Sequence, residues 1–125
     1  MRVLYIDDDR INTLLFVETC RVVSGLALET AASGAEALHC VAGWLPEVMV
    51  IDLHLPDTNG YELLAALRQQ VPALRHTPAF LCTAEETASV LQPALAAGYT
   101  ACWAKPVELQ TVLAALAALG HRPGC

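Results

Sequence analysis

Five short apolar runs alternate with five amphipathic stretches along this chain of 125 residues. The apolar runs cover 2–6, 27–31, 47–51, 78–82 and 100–104. The amphipathic stretches cover 10–23, 34–43, 60–70, 86–97 and 107–119. Such an alternation predicts strand followed by helix, five times over. Parallel strands need a crossover between them, so the pattern argues for an α/β chain with a parallel sheet covered on both faces. The first, third and fourth runs are almost continuously apolar, as strands buried on both sides are. With 55% hydrophobic residues a full core is within reach. One domain over 1–120 is expected, followed by a flexible tail over 121–125.

Local signals mark the element boundaries. Ser33 and Glu36 form a capping box at the start of the second helix, and Asn59 with Glu62 fits the same role at the third. Leu109, Val112, Leu113, Leu116 and Leu119 recur at three and four, which gives the last helix one apolar stripe. Gly98 and Gly120 stand where helix C-caps are wanted. Pro93 conflicts with its helical surroundings and should kink or shorten the fourth helix.

Composition excludes several function classes. No apolar run reaches the roughly 18 residues that span a bilayer, and no signal-peptide pattern opens the chain. Net charge is −6 without a basic stripe, which argues against direct nucleic-acid binding. The five cysteines form no CxxC pair and no metal-ligand spacing, so free thiols in a reducing cytoplasm are expected.

The charged residues that remain are concentrated. All five aspartates fall into two clusters: Asp7, Asp8 and Asp9 after the first run, Asp52 and Asp57 at and beyond the end of the third. The only lysine, Lys105, follows the fifth run and precedes Pro106. In an open α/β sheet, ligands bind outside the carboxyl ends of the strands. Asp7, Asp8, Asp52, Thr83 and Lys105 all fall there and should meet at one edge. Carboxylates gathered at buried strand ends need a cation beside them. Two or three of them make a hard oxygen site suited to Mg²⁺ (or Mn²⁺), with phosphate as a further ligand. A carboxylate can also attack phosphorus and form an aspartyl phosphate. Metal, ammonium and hydroxyl would then offset the charge on the phosphoryl group. Asp52, at the end of the central strand, is the natural nucleophile.

Four stretches together carry a resemblance: Val3-Leu4-Tyr5-Ile6-Asp7-Asp8-Asp9, Ile51 to Leu64 with Asp52 and Asn59-Gly60, Cys82-Thr83-Ala84, and Trp103-Ala104-Lys105-Pro106. Over nearly its whole length the chain resembles a response-regulator receiver domain of two-component signalling. The resemblance implies a flavodoxin-like fold with strand order 2-1-3-4-5. It implies a switch rather than an enzyme, with a sensor histidine kinase or histidine phosphotransfer protein donating phosphate to Asp52. By the same resemblance Asp8 would bind Mg²⁺ directly, Asp7 largely through water, and the His54 backbone carbonyl would add a ligand. Thr83 and the Ala84 amide would hold phosphoryl oxygens, and Lys105 would pair with phosphate. The Lys-Pro bond is typically cis in the family. A homodimer or partner contact would use the face of the fourth helix, fifth strand and fifth helix. The opening Asp-Asp-Asp-Arg-Ile-Asn and the Trp before Ala-Lys-Pro look most like receivers of hybrid sensor kinases.

Plainer roles compete at some positions. Asp9 reads as a helix N-terminal acid and Asp57 as a turn residue. Thr83 and Glu86 also fit a capping box for the fourth helix. His54 reads as a rim side chain and Glu85 as a border of the site entrance. A haloacid-dehalogenase-type phosphatase, or a receiver-like interaction module without phosphorylation, are the rival functions. The main departure from the family pattern is Cys102, where receivers usually carry Tyr or Phe. Trp103 cannot substitute, because adjacent strand residues point to opposite faces. Tyr99, just before the strand, is placed to fill part of the space. Intact phosphorylation chemistry with a weakened or differently built aromatic readout is therefore expected.

Overall fold

A computed structural model of the chain describes residues 1–120; the tail expected over 121–125 lies outside the described residues. Five parallel strands form one sheet in the order β2-β1-β3-β4-β5. They are β1 (Arg2–Ile6), β2 (Ala27–Ala31), β3 (Val48–Asp52), β4 (Ala79–Thr83) and β5 (Ala101–Ala104). Five α-helices connect and follow them: α1 (Arg10–Arg21), α2 (Gly34–Gly43), α3 (Gly60–Gln70), α4 (Thr87–Ala97) and α5 (Leu109–Ala118). A short 3-10 turn at Pro72–Leu74, which the sequence reading did not separate from its loop, follows α3.

Alternation along each strand sorts the core into two layers. Leu4, Ile6, Met49, Ile51, Ala79 and Leu81 meet α2, α3 and α4 through residues such as Ala37, Leu64 and Ala94. Val3, Tyr5, Val48, Val50, Phe80, Cys82 and Trp103 meet α1 and α5 through Phe16, Cys20, Val112 and Leu116. Every residue of β3 and β4 is buried, as the unbroken apolar runs require.

The expected caps form. The Ser33 hydroxyl accepts from the Glu36 amide at 3.1 Å, and the Asn59 carbonyl oxygen from the Glu62 amide at 3.0 Å. Asp9 is the N-cap of α1 and accepts from the amides of Ile11 and Asn12. Gly98 closes α4 at φ +104°, a region that costs glycine little. Two local expectations are corrected. Pro93 does not shorten α4, which runs unbroken through it. That proline is exposed, so the carbonyl it deprives of a donor can face water. The Thr83–Glu86 capping box does not form: Glu86 occupies the N-cap position without a side-chain bond, and the Thr83 hydroxyl accepts from the Glu85 amide instead.

The register fixes where chemistry lies. β3 and β4 each end one residue later than their apolar runs, because pairing continues through Asp52↔Cys82 and Thr83↔Ala104. Asp52 and Thr83 are thus the last residues of their strands, held by the ladder itself. No helix among the described residues is long and apolar enough to cross a membrane.

Candidate functional site

Asp7, Asp8, Asp52, Thr83 and Lys105 come together at the carboxyl edge of the sheet, at the ends of four strands. One carboxylate oxygen each from Asp7, Asp8 and Asp52 lies within 4.8 Å of the others, the only such trio of potential metal ligands among the described residues. Asp7 and Asp52 are buried, at 2% and 4% exposure, while Asp8 is open to solvent. Lys105 reaches between the buried pair, with Nζ 3.2 Å from Asp7 Oδ2 and 3.1 Å from Asp52 Oδ1. The Lys105-Pro106 peptide is cis.

One ammonium against two buried carboxylates leaves excess negative charge, and the acidities reflect it. Burial, and then the Asp7 charge, push the Asp52 carboxyl up to about 6 despite the opposing lysine. Burial pulls the Lys105 ammonium down, but its hydrogen bond and charge contact with Asp52, and then Asp7, outweigh this and raise it. A site so arranged favours additional positive charge. Hard oxygen donors at this separation suit a small divalent ion that keeps part of its water shell.

Neighbouring loops complete the site. The segment after β3 turns sharply, with the Leu55 amide bonded to the Thr58 carbonyl and the Gly60 amide to the Leu53 carbonyl. His54 pairs across that turn with Asn59. Its Nε2 lies 3.1 Å from Glu85 Oε2, so the expected rim side chain and the expected border residue touch each other at the mouth. Thr83 is buried and Ala84, next in the chain, is exposed. A cavity of about 250 Å³ lined by Asp7, Asp8, Arg10, Thr13, Thr30 and Glu36, among others, opens beside the carboxylates. A larger cavity of about 420 Å³ lies against β2 and α2, lined by Glu29, Glu36, His39 and Cys40 with neighbours. Its acids, imidazole and thiol do not converge on a point, whereas the smaller cavity adjoins the one convergent set of potential ligands among the described residues.

The supporting roles of three residues escaped the sequence reading. The buried Tyr5 phenol donates to Asp7 Oδ2 at 2.8 Å, and its ring stacks on Phe16 at 4.1 Å. Its place two residues before Asp7 on one strand face was the available signal. Asp57 is more than a turn residue. Its carboxylate accepts from the amides of Gly34 and Ala35 at 2.9 and 3.0 Å, which caps α2 from the β3–α3 loop and holds the carboxyl below the ordinary carboxylate range. A Cβ on Gly34 would come within 2.7 Å of Thr58 Cγ2, so this approach needs glycine. Nothing local in the sequence announces a contact across 22 or more positions. Tyr99, finally, is buried and donates to the Gly60 carbonyl at 2.6 Å.

Around position 102 the expectations divide. Trp103 is on the opposite face, stacked on Phe80 at 4.4 Å. Cys102 packs at the edge of the α2–α3–α4 layer. Tyr99 belongs to the same layer but does not line the cavity beside Cys102. Cys20, Cys40, Cys82 and Cys102 are free thiols, two of them buried and two half-buried.

Fold and site together define an α/β domain with an acidic pocket at its strand ends, and comparison with known proteins gives its family. The response regulator receiver domain family matches residues 3–117, and the chain belongs to that family. It is 32% identical to the response regulator MprA of Mycobacterium avium over 122 residues, covering 98% of this chain and 52% of that protein. It is 30% identical to the sensor histidine kinase RcsC of Salmonella typhimurium, covering 98% of this chain and 12% of that protein. The chain therefore spans about half the length, or less, of these relatives. Among solved structures, CheY4 of Vibrio cholerae superposes with a TM-score of 0.83 at 29% identity, covering 94% of this chain and 97% of that one. A putative response regulator from Chloroflexus aurantiacus gives 0.85 at 30% identity, with 97% and 98% covered. The expected strand order and flavodoxin-like fold are those of these neighbours.

Proposed function

We propose that this domain accepts a phosphoryl group on Asp52 from a phosphohistidine of a sensor histidine kinase or phosphotransfer protein, and signals through protein contacts. The observation that carries the reading is the convergence of Asp7, Asp8 and Asp52 on one point with Lys105 between the buried pair. A site made only to stabilise the fold would not leave two carboxylates facing one cation.

An Asp52 oxygen attacks phosphorus as the N–P bond of the donor breaks. The electron pair of that bond stays with the imidazole nitrogen, which takes up a proton. Asp52 must be ionised to attack, and with its acidity at about 6 it is so at neutral pH. Lys105, beside Asp52, would follow the charge onto the phosphoryl oxygens. The Thr83 hydroxyl and the Ala84 amide, on the adjoining strand end and loop, would hold two of those oxygens. Asp8, Asp7, Asp52 and the His54 carbonyl would hold Mg²⁺ or Mn²⁺, which supplies electrostatic stabilisation of the transferring group when bound. Water attack on the acyl phosphate would reset the switch, so turnover on an outside substrate is not its role.

The exposed side of α1 suits the donor. Ile11, Leu14 and Leu15 project beside the acidic edge, with Ile11 71% exposed. Three large apolar residues at helical spacing favour a helical partner with its own apolar stripe. The family match leaves a haloacid-dehalogenase reading without support. Acetyl phosphate with Mg²⁺ should add one phosphate, seen as a single mass shift, and Asp52→Asn should abolish it. Labelling at Asp7 instead, or no labelling and no beryllofluoride binding, would overturn the reading.

A further inference from the structure

Tyr5 places a hydroxyl in a layer whose other members on that side of the sheet, Val3, Phe16, Val50 and Phe80 among them, are apolar. It is 1% exposed. A phenylalanine would fill the same space without taking an oxygen out of water, so packing alone does not call for the hydroxyl. The ring has little freedom. It stacks on Phe16 at 4.1 Å with 11° between the planes. Its backbone is paired on both sides, with Thr30 of β2 and Val50 of β3. The phenol is therefore a fixed point beneath the strand ends, and it donates to Asp7 Oδ2 at 2.8 Å.

The donors on Asp7 differ in how firmly they are held. Oδ1 accepts from the Asp9 amide at 2.9 Å, and Asp9 caps α1. Oδ2 accepts from Tyr5 and, at 3.2 Å, from Lys105. Lys105 ends a long flexible side chain and is shared with Asp52 at 3.1 Å. Whenever that ammonium turns towards Asp52 or a phosphoryl group there, Tyr5 is the donor that stays on Oδ2. Without the phenol, the Asp7 carboxylate would be free to turn onto Lys105 and away from the point it shares with Asp8 and Asp52. We propose that Tyr5 is a positioning residue for divalent-ion binding, its phenol holding the Asp7 carboxylate in line with those of Asp8 and Asp52. The proposal rests on the reading of these three acids as the metal site and adds the group that orients one of them. Outer partners that orient ligands typically cost roughly 10–100-fold in metal affinity when removed.

Tyr5→Phe tests this, because it removes one oxygen and keeps the ring stack. The full chain, Tyr5→Phe and Asp8→Asn are titrated with Mn²⁺, and the free ion is followed by electron paramagnetic resonance. Tyr5→Phe should raise the Kd at least about fivefold, and the gain in urea midpoint on adding Mg²⁺ should shrink with it. A purely structural role would lower the midpoints in EDTA and in Mg²⁺ alike, leaving that gain and the Kd as in the parent, and would overturn the proposal. A measurement on the parent itself needs no variant. With tyrosine labelled at ¹³Cζ, saturating Mg²⁺ should move the Tyr5 resonance, and an unmoved signal would also overturn the proposal. Failure of the underlying reading looks different: a parent that takes up no Mn²⁺, or an Asp8→Asn chain that binds it as the parent does, would remove the metal site and the proposal together.

Discussion

In the strand-end pocket the buried polar side chains are all partnered, whereas along α4 and β5 small side chains leave an open groove. No buried side-chain nitrogen or oxygen among the described residues lacks a hydrogen-bond partner. Asp7 alone accepts from the Tyr5 phenol, the Asp9 amide and Lys105. At the groove, Thr87, Ala88, Ala101 and Cys102 make no comparable network. The pocket has to hold charges at set distances, and charge in a buried place tolerates little error. The groove has only to present surface, and surface can change at small cost to the fold.

The comparison predicts unequal consequences of substitution. Lys105→Ala should be the most destabilising, by about 3–5 kcal/mol, because it leaves two buried carboxylates without their cation. Urea denaturation in EDTA measures this, and Mg²⁺ or a second change of Asp52→Asn should recover much of it. A Lys105→Ala chain as stable as the parent would erase the contrast between pocket and groove.

Acidity gives the next largest effect. The Asp52 carboxyl ionises at about 6 in the folded chain against an ordinary 3.8, so folding favours its protonated form. That contribution is complete below the ordinary value and is lost as pH rises through about 6. In EDTA, Asp52→Asn should therefore gain on the parent by roughly 2 kcal/mol between pH 4 and 7. Parallel stability curves for the two proteins would refute the electrostatic account of the pocket.

Gly60→Ala sharpens the comparison at the backbone. A Cβ there would stand 2.5 Å from Leu81 Cδ1 and 3.0 Å from the Asp52 carbonyl. Overpacking of this kind costs about 1–3 kcal/mol, read as a lower denaturation midpoint. Leu91→Ala, at the groove, should change stability by no more than about 0.5 kcal/mol. If it destabilises as much as Gly60→Ala, the groove is part of the core and not a free surface.

Much of this architecture is legible along the chain. Burial on both faces demands unbroken apolar runs, and β1, β3 and β4 carry them. Helix ends must satisfy their own amides, and Asp9, Ser33 and Asn59 announce where. Aspartates directly after apolar runs can only lie at strand ends, so the site was visible as a set of positions. Pro93 misled because propensity is local, while α4 is held by its packing against the sheet.

The chain by itself therefore determined the order of elements, the edge on which chemistry gathers and the acids and lysine that gather there, since each follows from local periodicity. Only the tertiary structure decided how those groups are held. The Tyr5 bond to Asp7, the grip of Asp57 on α2, the tie of Tyr99 to Gly60 and the open space beside Cys102 depend on side chains that meet across the fold. Such meetings are set by packing in three dimensions, which no window of sequence contains.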